Sequence, residues 1–236
     1  MANRFYVPGN WQPGDLVPLP QPEAQHALRV LRLASGEQIE VFDGAGRAAQ
    51  AELQVESSRK ASVEITDSLI TEPPSQPSIS VALAPPKGDR FRWIVEKLTE
   101  LGVDRIIPMK TARSVVDPRD SKLAKLEQAT IAACKQCGRN RLPELDGVIP
   151  FAELLAAKGT SQLVYGDPQG VSISKLSHTS ADNAEFLILI GPEGGFTDEE
   201  IDLLSQHNAQ GVRIGRHVLR IETAAVSLAA ALMSHL

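Results

Sequence analysis

Two rhythms of apolar and polar residues divide this chain, and the change between them falls near residue 74. Up to about Leu69 the apolar positions alternate over short runs. Gln38-Ile39-Glu40-Val41-Phe42, residues 49–55 and Ser62-Val63-Glu64-Ile65 each carry the period of two that marks half-buried strands. Asp43-Gly44-Ala45-Gly46 lies between the first two and has the chemistry of a hairpin turn. No helix follows it, so it is not the opening of a dinucleotide fingerprint. The run His26-Ala27-Leu28-Arg29-Val30-Leu31-Arg32-Leu33 predicts a short helix ending before Gly36. A small β-barrel with one helix is the architecture these elements predict. Thr71-Glu72-Pro73-Pro74-Ser75-Gln76-Pro77 follows, and its prolines make a stiff, extended linker.

Beyond the linker, strands alternate with helices. Strands are expected at 79–84, 105–109, 162–165, 186–190 and 212–214. Helices are expected at 90–101 (stopped by Gly102), 122–137 (stopped by Gly138), 151–157, 197–207 and 222–235. Buried strands interleaved with helices imply an α/β domain whose mostly parallel sheet is covered on both faces. The expected division is 1–72 for the barrel, 73–77 for the linker and 78–236 for the α/β domain.

Composition narrows the class. With 42% hydrophobic and 22% charged residues, the chain has the balance of a soluble globular protein. Asn3-Arg4-Phe5-Tyr6 turns polar at once, unlike a secretory leader, and the apolar run 224–233 is too short to span a bilayer. A cytoplasmic location without membrane contact is expected. Cys134 and Cys137 form a C-x-x-C with no second pair, which favours two small helix residues on one face over a redox or zinc site. The net charge of −5 is unevenly spread. Residues 1–74 hold 6 Lys/Arg and 10 Asp/Glu, whereas residues 105–141 hold 9 Lys/Arg and 3 Asp/Glu. That basic stretch reads equally as a nucleic-acid footprint or as a solvated helix face.

Three places carry chemistry. At Ile190-Gly191-Pro192-Glu193-Gly194-Gly195-Phe196 an apolar strand ends in a glycine turn, and Thr197 with Glu200 then has the form of a capping box. Such junctions are where α/β sheets place ligands. A phosphate cradle wants a lysine and uncancelled N–H dipoles. Glu193 would repel phosphate, so the turn suits a ligand without phosphate and tolerant of positive charge. The second place, residues 214–224, is another strand–glycine–helix junction, with Arg216, Arg220 and Glu222. The third is the basic stretch around Arg113, Arg139 and Arg141.

Together these stretches resemble the SPOUT superfamily of S-adenosylmethionine-dependent RNA methyltransferases. Within it they are similar to the bacterial family that methylates N3 of a uridine in small-subunit (16S) ribosomal RNA. Arg4-Phe5-Tyr6-Val7, His26 with Val30-Leu31-Arg32-Leu33, and Lys97-Leu98-Thr99-Glu100-Leu101-Gly102-Val103 match in order. Gln136-Cys137-Gly138-Arg139-Asn140-Arg141, the 190–196 turn and Leu219-Arg220-Ile221-Glu222-Thr223-Ala224 complete the match over the whole chain. Ile221 departs from the small polar residue expected there.

The resemblance implies a SPOUT-type α/β domain with a deep trefoil knot, a PUA-like N-terminal barrel that binds RNA, and a homodimer. Donor binding is expected from Leu189, Gly191, Gly194, Gly195, Ile214, Gly215 and Leu219, with Tyr165-Gly166 as a further candidate. Arg220 is the expected stabiliser of a uridine anion. Glu222 is either a proton acceptor or an orienting partner of Arg220 or Arg113. Arg4, Arg29, Arg32, Arg113, Arg139 and Arg141 are expected on RNA phosphates. No metal is expected, and His26 and His217 have no assigned role. A transfer-RNA methyltransferase of the same superfamily and a non-catalytic ribosomal RNA-binding assembly protein stay open as alternatives.

Overall fold

The structure, a computed structural model, describes residues 3–66, 69–115, 120–176 and 184–235, with the side chains of 120–123 and 235 excepted. It separates into two units. One comprises Met1–Pro74 with Cys134–Leu142, the other Ser75–Ala133 with Pro143–Leu236.

The first unit contains β1 (Arg4–Tyr6), β2 (Leu16–Pro18), α1 (Gln21–Gln25), β3 (Gln38–Phe42), β4 (Arg47–Ser57), β5 (Lys60–Ile65) and β6 (Ile70–Thr71). They form a sheet ordered β1-β3-β4-β5-β2, with β6 on β4. The period of two works as expected: Ile39 and Val41 pair with Ala51 and Ala49 across β3 and β4. These residues join Phe5, Trp11, Leu53 and Val63 in one buried cluster. The helix expected from His26 begins earlier, at Gln21, and passes into a π-helical turn at His26–Val30. It stops short of Leu33 because Arg32 takes a left-handed φ of 57°.

The expected division placed residues 134–142 in the α/β domain, and the structure groups them with the first unit instead. Cys134 is buried against Phe42 and Ala48, and Arg141 bridges to Gly44 and Ala45. Side-chain packing and main-chain bonds to distant residues thus decide the grouping.

The second unit contains β7 (Ser78–Leu83), α2 (Arg90–Leu101), β8 (Arg105–Lys110), β9 (Glu144–Leu145), β10 (Ile149–Pro150), α4 (Phe151–Ala156), β11 (Gln162–Ser172), β12 (Glu185–Ile190), α5 (Asp198–Gln206), β13 (Gln210–Arg213) and α6 (Ile221–His235), and α3 (Asp120–Cys137) starts within it. The sheet order is β10-β8-β7-β12-β11-β13 with β9 also on β8, and the pairings are parallel. Alternate residues of β12 feed opposite faces. Phe186, Ile188 and Ile190 pack with residues of α2 and α6, whereas Leu187 and Leu189 pack with residues of α4 and α5. Gly102 ends α2 at φ 93°, the left-handed conformation that glycine adopts without cost. Thr197 caps α5 in a full capping box with Glu200. β11 runs well past the expected 165, through an irregular register between Gly166 and Val171, to stay beside β13. The approach is close: a Cβ at Gly170 would lie 2.3 Å from the Gly211 carbonyl oxygen.

Candidate active site

The two glycine turns singled out from the sequence meet around one cavity of about 500 Å³, beyond the carboxyl ends of β11, β12 and β13. Parallel sheets bind ligands there because strand ends and helix starts leave main-chain groups free to face a guest. Gly191 and Gly195 from the first turn and Ile214, Gly215 and Leu219 from the second form part of its wall. Arg220 lies on the wall as well.

The glycines serve different ends. Gly195 sits at φ +69°, closed by a bond from its N–H to the Pro192 carbonyl at 2.8 Å. A Cβ at Gly191 would meet the Phe196 ring at 3.1 Å. A Cβ at Gly215 would meet nothing within 4 Å, and its φ is not in the left-handed region. The protein's own packing does not demand glycine at 215.

Ile190, Ile214, Val218 and Leu219 give the cavity apolar walls, and Asp167 and Glu193 supply carboxylates. Burial, and after it the nearby Asp167 charge, pushes the Tyr165 phenol above its usual range. It stays a neutral hydroxyl at physiological pH. This donor set fits an uncharged ring system with a cationic arm. A cavity of this size suits a drug-sized ligand.

Two expected donor-site residues lie off the wall. Leu189 is fully buried among the residues packed on α4 and α5, since the alternation of β12 turns it away from its neighbour Ile190. Gly194 presents its carbonyl to Arg113 Nη1 at 2.6 Å. Glu222 has neither Arg220 nor Arg113 as its ion partner. Its Oε2 lies 3.6 Å from Arg90 Nη1, and Arg90 Nη2 also reaches Glu193 Oε1 at 3.3 Å. Nothing local in the sequence marks Arg90 as a site residue, because Glu193 and Glu222 reach it from far along the chain.

The expected phosphate contacts divide sharply. Arg29 and Arg32 are exposed. Arg4 is buried, and it donates to Glu40 Oε1 at 2.7 Å, to the Cys134 and Arg139 carbonyls at 2.9 and 3.2 Å, and to Asn140 Oδ1. Arg139 is buried too, and half-buried Arg141 donates to the Glu72 carbonyl at 3.1 Å. Lys135 pairs with Glu23 at 2.7 Å and Arg105 with Asp146 at 2.8 Å. Arg105, Lys135, Arg139 and Arg141 of the basic stretch, and Arg4 outside it, are therefore engaged within the fold and not left free in water.

Cys134 is buried and Cys137 exposed, so the two do not share an environment. Among the described residues no group of three His, Cys, Asp or Glu is placed to hold a metal ion. Among them also, no helix is long and apolar enough to cross a membrane.

A parallel α/β sheet with a ligand cavity at its carboxyl end, joined to a small β unit, defines a two-unit ligand-binding α/β protein. Comparison with known proteins gives the family. Residues 73–233 match the family model of an RNA methyltransferase domain, and residues 19–66 that of an RNA methyltransferase PUA domain. The chain is 32% identical over 213 residues to the ribosomal RNA small subunit methyltransferase E of Bacillus subtilis, covering 86% of this chain and 83% of that one. It is 30% identical over 235 residues to the protein of that name from Mycobacterium bovis, covering 95% and 88%. The crystal structure of ribosomal RNA small subunit methyltransferase E from Neisseria gonorrhoeae, bound to S-adenosyl methionine, superposes with a TM-score of 0.90 at 31% identity, covering 100% of this chain and 98% of that one. The chain belongs to the RNA methyltransferase family that these proteins share. Its fold is accordingly a SPOUT-type α/β domain with a PUA-like N-terminal sheet.

Proposed function

We propose that this protein transfers a methyl group from S-adenosylmethionine to N3 of a specific uridine in 16S ribosomal RNA of the small subunit. One observation carries the reading: both glycine turns enclose a single cavity, and Arg220 stands on its wall. The names of the relatives support the ribosomal substrate, and the donor-bound neighbour supports the cofactor.

When bound, S-adenosylmethionine supplies an electrophilic methyl group on a sulfonium. Gly191, Gly195 and Gly215 would hold it through main-chain groups, with Ile214 and Leu219 as an apolar wall and Gly194 and Leu189 backing the turn from behind. Asp167 and Glu193 suit its positive charge.

Uridine N3 carries a proton, and its loss spreads negative charge onto O2 and O4. Arg220, directed at one of those oxygens, stabilises the anion as it forms. Glu222, beside Arg90, would orient that arginine at the cavity and not Arg220. Proton removal by Glu222 or by a water on it is the other role it can take. N3 lies on the pairing edge, so the base enters unpaired or extruded.

Exposed Arg29 and Arg32 are the strongest candidates for phosphate contacts, and residues 1–72 for the RNA-binding domain. The homodimer and the trefoil threading belong to the same proposal. A sheet order in which β13 returns outside β11 after β12 supports the threading. The deciding experiment is mass spectrometry of small-subunit ribosomal RNA from cells lacking the protein. Loss of one N3-methyluridine, restored by purified protein with S-adenosylmethionine, is the expected result. An unchanged methylation profile refutes the proposal.

A further inference from the structure

We propose that Arg113 is a positioning residue for the donor-binding turn and not a contact to RNA phosphate. The inference rests on the cavity being the S-adenosylmethionine site.

The turn at 191–196 has little to hold it from within. Its one internal main-chain bond runs from Gly195 N to the Pro192 carbonyl. The Gly194 and Phe196 carbonyls are both taken by Arg113 Nη1, at 2.6 and 3.2 Å. The arginine stem runs directly over Gly194, where a Cβ would lie 3.3 Å from Arg113 Cδ. Glycine at 194 and arginine at 113 are thus matched in shape as well as in hydrogen bonding.

The fastening is reciprocal. Buried Glu200 accepts from Ala112 N at 2.8 Å through Oε1 and from Thr197 N at 2.9 Å through Oε2. One carboxylate therefore ties the backbone beside Arg113 to the residue that closes the donor turn. The Arg113 turn is itself fixed, with Thr111 N on Ser114 Oγ at 2.9 Å and Ser114 N on the Thr111 carbonyl at 3.2 Å. Both ends of the clamp are thus fastened by hydrogen bonds within the fold. Pre-forming a binding turn raises affinity by removing the entropy of ordering it. To grip a phosphate through Nη1 instead, Arg113 would have to abandon two carbonyls that then lose their donor.

The test is calorimetric titration of S-adenosylmethionine into wild type, Arg113→Ala, Arg113→Lys and Glu200→Gln, without RNA. Binding of a small-subunit ribosomal RNA fragment is measured across salt concentrations in parallel. Arg113→Ala should weaken donor binding about tenfold or more, and Arg113→Lys, which keeps one donor, should fall between it and wild type. RNA affinity and its salt dependence should not move. Donor affinity within about twofold of wild type, with weaker RNA binding and a salt slope reduced by about 1, overturns the proposal. Should Arg113→Ala fail to fold, the other two variants decide by the same criteria. A wild-type protein that binds no donor refutes the proposed function itself, a result separate from any difference among the variants.

Discussion

Arg4→Met should destabilise the first unit by about 3–5 kcal/mol, the range for removing one partner from a buried ionic network. The magnitude follows from what the guanidinium leaves behind. Its side chain is 7% exposed, so solvent screens it little. The Cys134 and Arg139 carbonyls lose their donor in a buried setting, at about 1–3 kcal/mol each. Glu40, 32% exposed on its side chain, is rehydrated and adds little. The stacking of the Arg4 guanidinium 4.5 Å from the Phe42 ring is replaced in part by the methionine stem. The chain has two tryptophans, Trp11 at 2% exposure in the first unit and Trp93 at 44% in the second. A Trp93→Phe background therefore makes Trp11 fluorescence a reporter of the first unit alone. With an m-value of about 2 kcal/mol/M for a unit of this size, the urea midpoint should fall by about 2 M. An unmoved midpoint together with weaker RNA binding would refute the structural role and restore Arg4 as a phosphate contact.

Other consequences are as direct. Arg29→Ala with Arg32→Ala should leave stability within about 0.5 kcal/mol. It should reduce the slope of log affinity for RNA against log salt by about 2, which filter binding across a salt series reads. Gly170→Ala drives a methyl group into the Gly211 carbonyl, so β11 and β13 must separate, and the melting temperature should drop with loss of S-adenosylmethionine binding. Gly191→Val should spare the fold and weaken S-adenosylmethionine binding in calorimetry, because the Phe196 ring beside it is displaced toward the cavity. Burial pushes the Cys134 thiol up to about 12, outweighing the lowering by Arg139 and Arg4. The folded state holds that proton more tightly than the unfolded state, whose thiol titrates near about 8.5. Its contribution to stability is therefore complete below about 8.5 and fades as pH rises toward 12. Alkylation at pH 8 followed by peptide mass spectrometry should label exposed Cys137 and spare Cys134 until denaturant is added, and equal labelling would contradict the burial argument.

What could be read from the sequence was what is decided within a few residues. Apolar spacing located β3, β4 and β5 of one sheet and β7, β8, β11, β12 and β13 of the other, Gly102 ended α2 in the conformation a glycine permits, and the Thr197–Glu200 capping box formed as written. Both turns that line the cavity were visible because strand, glycine and helix start follow one another without a gap. β1, β2, β6, β9 and β10 were missed, since two or three residues carry no period and their partners lie far along the chain. The charges failed for the same reason. A stretch of lysines and arginines announces a field only if its counter-charges are absent, and here they arrive from elsewhere: Glu23 meets Lys135 across 112 positions, and Asp146 meets Arg105 across 41. Arg90 beside Glu222 is the same case at the cavity, joined through the start of one helix and the first turn of another. A buried cation is held where it is by its acceptors, so it has less freedom to serve a ligand than its position in the sequence suggests. By that argument the RNA-facing charge of this protein must be sought among residues such as Arg29 and Arg32, whose side chains the fold leaves in water.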